Sequence, residues 1–420
     1  MTPVLHLAWR SAWNRRLTVG LTLVSVALSV ALLLGVERLR NDARSAFVQT
    51  VSGTDLVVGA RSGPVQLLLY AVFHIGGATH DIGWRSFLAV REHPEVAWAV
   101  PVALGDSHHG FRVVGTDAGF FEHLRHGPDR ALRLASGRRF SGLFEAVVGA
   151  EVAARLGYAP GARIELAHGS DEAPGAGHAD KPFAVVGVLE RTGTPVDRSV
   201  LVSLESIEAI HVDWQGGAPI PGLRIAPEFV RKFDLAPKRI TAAFVGLKSR
   251  AAVFRVQRVF NEWRDEPLLA VLPGATLQQL WSLIGIAERA LLAVSALVVL
   301  VGLSGLAAVI AASLGERRRE LAILRAMGAS PGALFALLAV ESLLLTVCGS
   351  VLGVALLFGA SAALVPWLES RFGLAPGLGA LAPREWAMLA AVLGAGLLAS
   401  LLPGWRAYRM SLADGMTVRT

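Results

Sequence analysis

Four stretches of this chain are almost free of charge: Leu17–Val36, Ala290–Leu314, Gly332–Pro366 and Trp386–Leu402. In a helix, about 20 apolar residues at 1.5 Å rise each cross the roughly 30 Å hydrocarbon core of a bilayer. Every run meets that length, the last one marginally. The sequence therefore predicts an α-helical membrane protein with four transmembrane helices. With 53% hydrophobic and 17% charged residues, the chain is too apolar for an ordinary soluble protein and too polar for a bare bundle. The polar residues must be concentrated elsewhere, and most lie between the first run and the second.

The first run follows Arg10, Arg15 and Arg16, as a secretory signal would. It is longer than a signal's apolar region, however, and runs into Glu37-Arg38-Leu39-Arg40 with no small-residue cleavage site. A retained anchor fits better. Arginine placement sets the orientation. Arg10, Arg15 and Arg16 precede span one; Arg317, Arg318, Arg319 and Arg325 lie between spans two and three; Arg406, Arg409 and Arg419 follow span four. The other short loop holds only Arg371 and Arg384, offset by Glu369 and Glu385. Both termini are expected in the cytoplasm, and residues 37–289 outside it, as one large domain inserted between spans one and two.

That domain reads as α+β. Glu37–Gln49 continues span one as a polar stalk. "DLVVGA" (Asp55–Ala60), "FRVVGTD" (Phe111–Asp117) and Ile240–Leu247 have the apolar, turn-bounded look of strands, and Ser249–Trp263 that of an amphipathic helix. "SFLAVREHPEVAWAVPVAL" reads as a short helix, a break at Pro94 and an extended run. "EAVVGAEVAARLGYAPGARIELAHG" gives strand, helix, Pro160-Gly161 turn and strand, and "KPFAVVGVLERTGTPVDRSVLVSLESIEAI" gives strand, loop, strand and helix. Ser170–Ala179 reads as a flexible hairpin tip. These segments suggest an α/β part at about 50–117 and 240–275 and a β-rich part at about 118–239. The single cysteine, Cys348, falls inside the third span, so the domain has no intrachain disulfide and must stand on its own core.

Several functions are excluded. The net charge of +7 is carried mostly by arginines flanking the spans, without the aromatic-interleaved patch of a nucleic-acid binder. Neither H-E-x-x-H nor S-x-x-K occurs, and the single G-x-S-x-G, Gly328-Ala329-Ser330-Pro331-Gly332, lies between two expected helices rather than on a strand-to-helix turn, so a membrane-anchored hydrolase is disfavoured. No Walker A loop occurs either, nor a single Gly-Lys dipeptide.

"AVVGAEVAARLGYAPGARIEL" followed by "FAVVGVLERTGTPVDRSVLVSLESI" resembles the periplasmic core domain of MacB-type ABC transporter permeases, a group that includes LolC, LolE and FtsX. The likeness extends over nearly the whole chain. "ERRRELAILRAMGAS" then resembles the family's coupling segment, which docks on the ATPase subunit. On a helix Glu316 pairs with Arg319 and Arg317 with Glu320 at i,i+3, while Leu321, Leu324 and Met327 share a face. Gly328 is placed to end this helix, and Ser330 and Pro331 to start the next. Without the resemblance the same segment reads as a positive-inside loop. With it, the coupling residues are Glu316, Arg317, Arg318, Arg319, Glu320, Leu321, Leu324, Arg325, Met327 and Gly328. "PVLHLAWRSAWNRR" (Pro3–Arg16) fits an interfacial helix, and the tail "PGWRAYRMSLADGM" resembles the family's ending.

Other features stay open at this stage. Glu341 is ionisable inside a span, which marks a functional candidate or a helix-packing group. Gly349, Gly353 and Gly359 suit close helix packing. Val65–Ile75 is too short to span and reads either as a buried core helix or as a surface-lying gate. Ten of eleven histidines fall in the outer domain, including His108-His109 and the pair His123/His126. They are scattered, with no cysteine beside them, so the reading is of surface residues and no metal site.

The resemblance implies a layout of interfacial helix (1–16), span one (17–36), periplasmic core domain (37–289), span two (290–314), coupling helix (315–331), span three (332–366), short periplasmic loop (367–385), span four (386–405) and cytoplasmic tail (406–420). It implies a non-enzymatic permease subunit in the bacterial inner membrane, exporting or extracting an amphiphile, peptide or lipoprotein. ATP and Mg are held by a partner ATPase, so no cofactor is expected in this chain. A second permease copy, identical or related, membrane lipid, and a periplasmic adaptor or binding protein complete the expected partners. The alternatives are an FtsX-like signal transducer and a metal-handling ABC permease.

Overall fold

The computed structural model describes residues 16–50, 52–77, 80–127, 129–168, 177–215, 218–316, 323, 325–372, 379–399, 401 and 405. Two compact units result. One holds Met1–Asp42, Gly285–Trp367 and Pro376–Thr420; the other holds Ala43–Ile284 with Leu368–Ala375. In chain order the main elements are α1 (Arg16–Thr50), β1 (Leu56–Ala60), α2 (Pro64–Ala71), α3 (Trp84–Arg91), β2 (Val96–His108), β3 (Phe111–Thr116), α4 (Gly119–His123), β4 (Leu134–Gly137), β5 (Glu145–Val148), α5 (Ala150–Leu156), β6 (Phe183–Leu189), β7 (Ser199–Ser203), α6 (Leu204–Ile210), β8 (Ala242–Leu247), α7 (Val253–Asn261), β9 (Leu268–Val271), α8 (Pro273–Glu316), α9 (Pro331–Phe372) and α10 (Pro383–Ala399).

The inserted unit is built on one mixed sheet in the order β9-β1-β8-β2-β3-β7-β5-β6-β4. Two short strands join it: Arg163–Ile164 on β6 and Ala167–His168 on β2. Pairing is antiparallel except for β7 with β3 and β6 with β5. β2 is 13 residues long. Its Val96–Val102 half pairs with β8 and its Ala103–His108 half with β3. Strands from both parts read from the sequence therefore share one hydrogen-bonded sheet.

Side chains alternate across a strand, and the cores follow that alternation. Val57, Val100, Val102 and Phe244 face a core closed by α2 (Leu67, Leu68, Tyr70), α4 (Phe120, Phe121) and Leu277 of α8. Leu56, Val58, Ala243 and Val245 point the other way, onto Phe87 and Val90 of α3 and Val256 and Phe260 of α7. Farther along, Val152 of α5 and Ile210 of α6 cover Val113, Val148, Val200 and Val202. Val65–Ile75 is thereby placed: Pro64 opens α2, whose buried side belongs to the core.

The "ERTGTPVDR" loop between β6 and β7 is tied by Asp197, which accepts hydrogen bonds from Thr192 N (2.8 Å), Thr192 Oγ1 (2.8 Å) and Gly193 N (2.7 Å). Gly149 lets this loop approach, since a methyl group there would stand 2.3 Å from the Val196 carbonyl oxygen.

Among the described residues of the helical unit, three of the four expected spans are helices long and apolar enough to cross a membrane: Arg16–Asp42, Gly285–Ala312 and Gly332–Val365. α10 is described over Pro383–Ala399, and Leu401 and Trp405 beyond it are helical as well. Helices also outrun the hydrophobic runs: α1 continues to Thr50, α8 begins at Pro273, and α9 continues to Phe372. None of these extensions contains an internal proline to stop it.

Val26, Val30 and Leu34 of α1, Leu303 and Leu306 of α8, Leu334 and Leu338 of α9, and Leu389 and Val392 of α10 form the bundle core. Small residues bring the helices together, as expected where lipid offers no hydrophobic drive. A methyl at Gly353 would lie 2.6 Å from the Ala27 carbonyl oxygen, and one at Gly349 would lie 2.7 Å from Val26. Gly359 faces open space. Ser342 Oγ donates to the Gly396 carbonyl at 3.0 Å, linking α9 to α10.

Candidate functional site

α8 reaches Glu316, the first residue of the expected coupling segment, before its regular helix passes from description. Arg317, Arg318, Arg319, Glu320, Leu321 and Leu324 lie outside the described residues, as do Pro3–Arg15 and nearly all of the tail. The far end of the segment is described. Ile323 and Arg325 are helical, Met327 N donates to Ile323 O at 3.0 Å, and Gly328 N donates to Arg325 O at 3.0 Å. Gly328 closes the turn at φ +96°, the left-handed conformation that favours glycine. Ser330 then caps α9: its Oγ accepts from Ala333 N at 3.2 Å, with Pro331 as the first helical residue.

The turn presents apolar surface. Ile323 and Met327 are separated by one helical turn and are 58% and 73% exposed. The sequence reading put Met327 with Leu321 and Leu324 and missed Ile323, although its i,i+4 spacing to Met327 is legible. Glu341, the intramembrane candidate, is half-buried on α9, one residue before the interhelical Ser342 bond.

At the opposite end of the spans a collar of charges joins the helices. Glu37 of α1 is 1% exposed, accepts a hydrogen bond from Arg40 at 2.7 Å and forms an ion pair with Arg384 of α10 at 3.2 Å. Arg40 also reaches Glu288 of α8 at 3.5 Å. Arg38 donates to the Gly379 carbonyl and lies over the Phe358 ring of α9 at 4.8 Å. Glu385 caps α10 by accepting from Ala382 N at 2.7 Å. A buried carboxylate held by two guanidiniums resists separation, because breaking it strands charge away from water. The collar was not read from the sequence. Its signal is there: "ERLR" directly after the first run, "ER" before the second and "RE" before the last.

In the inserted unit the histidines divide. His108 is fixed between the Glu165 carbonyl (2.7 Å) and the Tyr158 hydroxyl (2.9 Å). His123 stacks on Trp98 at 4.9 Å and ends α4, while His126 lies in a short strand, so the two do not share a helical face. Asp106, His178 and His211, by contrast, converge. Burial first, and the Arg112 charge second, hold His74 down at about 4. Arg138 and the Ser141 and Gly142 N–H groups hold Glu145 down at about 2.

The comparisons bear on both units. Residues 19–257 match the MacB-like periplasmic core domain, and residues 292–412 match the FtsX-like permease C-terminal family. No curated protein matches the chain. Solved structures that show similarity include two periplasmic or extracellular regions. The periplasmic region of MacB from Actinobacillus actinomycetemcomitans shares 10% identity at TM-score 0.34, over 56% of this chain and 94% of its own. The extracellular domain of the noncanonic ABC-type transporter YknZ from Gram-positive bacteria shares 13% identity at TM-score 0.30, over 52% of this chain and 99% of its own. With the first family model covering more than half of its length and the second most of the remainder, the chain belongs to the MacB/FtsX-like family of ABC permeases.

Proposed function

We propose that this chain is the permease subunit of a mechanotransmission ABC system of the bacterial inner membrane, with both termini in the cytoplasm and the core domain in the periplasm. A separate ABC ATPase docks on the turn around residues 316–328, and a second permease copy completes the assembly. The carrying observation is α8. It is one uninterrupted helix of 44 residues, about 66 Å long. Leu277 near its start is buried in the core of the inserted domain, and Glu316 at its end opens the segment leading to exposed Ile323 and Met327. α8 runs from the inserted unit into the helical unit with no proline after its first residue, so a displacement applied at that turn has a continuous helical segment to travel along. The collar of Glu37, Arg40, Glu288 and Arg384 makes α1 and α10 follow α8. Movement of the core domain then exports or extracts an amphiphile, peptide or lipoprotein.

Affinity purification of the full chain from its native membranes tests this. The expected result is an ABC ATPase polypeptide that co-purifies with wild type and is lost from an Ile323→Asp/Met327→Asp double variant that still inserts and folds. Equal recovery with the double variant, or no ATPase with either, would overturn the docking.

A further inference from the structure

We propose that the core domain binds a transition-metal cation of the zinc class through Asp106, His178 and His211. The three residues come from separate places: β2, the segment leading into β6, and the residue that ends α6. One carboxylate oxygen and one nitrogen of each imidazole nevertheless all lie within 4.8 Å of one another. Ligand atoms about 2.0–2.2 Å from a tetrahedral ion stand about 3.3–3.6 Å apart. Closing the cluster onto an ion therefore takes side-chain movement of up to about an ångström.

The surroundings orient the ligands. His211 Nδ1 lies 2.7 Å from the Ile207 carbonyl oxygen, which can only accept. Nδ1 therefore carries the proton, which makes Nε2 the ring nitrogen able to ligate a cation, as in metal sites whose second ring nitrogen is held by a backbone carbonyl. His178 is fixed by its own backbone, with N donating to Leu166 O at 2.8 Å and the carbonyl accepting from Lys181 N at 3.1 Å. Its ring stands edge-on to His211, 5.0 Å centroid to centroid at 86°, and lies 4.3 Å from Trp214. Asp106 is set by the register of β2, opposite His168.

Burial grades toward one side. His178 is 0% and Asp106 4% exposed, while His211 is half-buried and gives an ion its route in. Two imidazoles and one carboxylate suit zinc, cobalt, nickel or copper(II), whereas calcium and magnesium require oxygen ligands throughout. Three protein ligands leave a coordination position for water or an external donor. A bound ion would fasten β2, the approach to β6 and the end of α6 to one another. The site is independent of the transport reading.

The test uses the full chain in detergent, without a histidine tag and stripped of metal, titrated with zinc chloride by calorimetry and with cobalt(II) by visible absorption. One equivalent of zinc is expected. The Asp106→Asn and His211→Gln variants should bind it at least about tenfold more weakly and lose the cobalt bands, while His123→Ala, remote from the cluster, binds as wild type does. Zinc K-edge absorption on the loaded wild type should show an all-nitrogen/oxygen shell with imidazole scattering, a readout that needs no variant. Absence of one-to-one binding, affinity unchanged in folded Asp106→Asn and His211→Gln, or a shell without imidazole would each overturn the site.

Discussion

Gly353 and Gly359 lie on the same helix, yet the same substitution should act on them with opposite sign. At Gly353 the added methyl would stand 2.6 Å from the Ala27 carbonyl oxygen and 2.9 Å from Val30 Cβ. Ordinary carbon contacts are about 3.5–4.0 Å, so α1 and α9 must part by about 1 Å. The obstacle includes α1 backbone, which cannot rotate aside as a side chain would. Overpacking of this kind costs about 1–3 kcal/mol, and Val26, Ala27 and Val30, all at most 2% exposed, would lose their close contact. At Gly359 the methyl meets nothing within 4 Å, and alanine favours the helix by up to about 1 kcal/mol. Gly353→Ala and Gly359→Ala should therefore differ by roughly 2–4 kcal/mol. Unfolding of the purified chain in mixed micelles, titrated with sodium dodecyl sulfate and followed by tryptophan fluorescence, measures this. Equal stability of the two variants would refute the α1–α9 contact as the tight joint of the bundle.

Two further outcomes are expected in the core domain. Because burial holds His74 at about 4, against about 6.5 in an unfolded chain, the unfolded state takes up a proton that the fold refuses. Stability should therefore fall by up to about 3 kcal/mol as pH drops from 6.5 to 4 and then level off for this group. His74→Asn, which tolerates the left-handed backbone at φ 57°, should remove that slope in urea titrations. It should leave the separate loss from Glu145, which sets in below about 4.5 and runs down to about 2. Asp213→Ala should cost about 3–5 kcal/mol. It strands Lys181, which is 0% exposed, 2.6 Å from Asp213 and otherwise paired with the exposed Asp180. A Lys181→Met/Asp213→Leu double variant should recover most of the loss, and failure to recover would refute the charge argument.

Where the fold was legible, local pattern and tertiary demand agree. "FRVVGT", "FAVVGVL" and "SVLVS" are valine-rich runs bounded by turn residues, and each is a strand, the first and third buried almost throughout and the second on alternate residues. Gly157 ends α5 in the left-handed conformation that the sequence suggests. β2 was only half visible. The extended run was read only as far as Leu104, yet the strand continues through Gly105-Asp106 to His108, with Pro101 opposite Ala243 and its carbonyl accepting from Thr116 Oγ1 at 2.7 Å. Helix ends were misplaced for the converse reason. Hydropathy reports where lipid stops, and α8 begins at Pro273 well before its apolar run, whereas the continuation of α1 to Thr50 is the polar stalk read from the sequence. Asp106, His178 and His211 have no mutual spacing to notice, because three segments bring them together only through the sheet.

The charged collar and the glycine joint occupy different levels of the bundle, and that separation constrains how the helices can move. Near the middle of the spans, Gly349 and Gly353 hold α1 against α9 through backbone proximity, a contact that tolerates rotation but not separation. At the outer end, Glu37 and Arg40 hold α1 to α10 and α8 through ion pairs of 3.2 and 3.5 Å whose partners are long, jointed side chains. Arginine stems can follow a helix through a few ångströms of travel while keeping a carboxylate engaged, whereas a 2.6 Å methyl clash cannot be absorbed that way. On the proposed mechanism, the glycine level is thus the pivot and the collar is the compliant link that keeps the outer ends moving together. Glu37→Gln keeps the size and removes the charge, so it should leave the pivot intact and weaken only the link. Turnover by the docked ATPase would continue while transmission to the core domain falls, and a variant that lost both together would show that the two levels are not mechanically distinct.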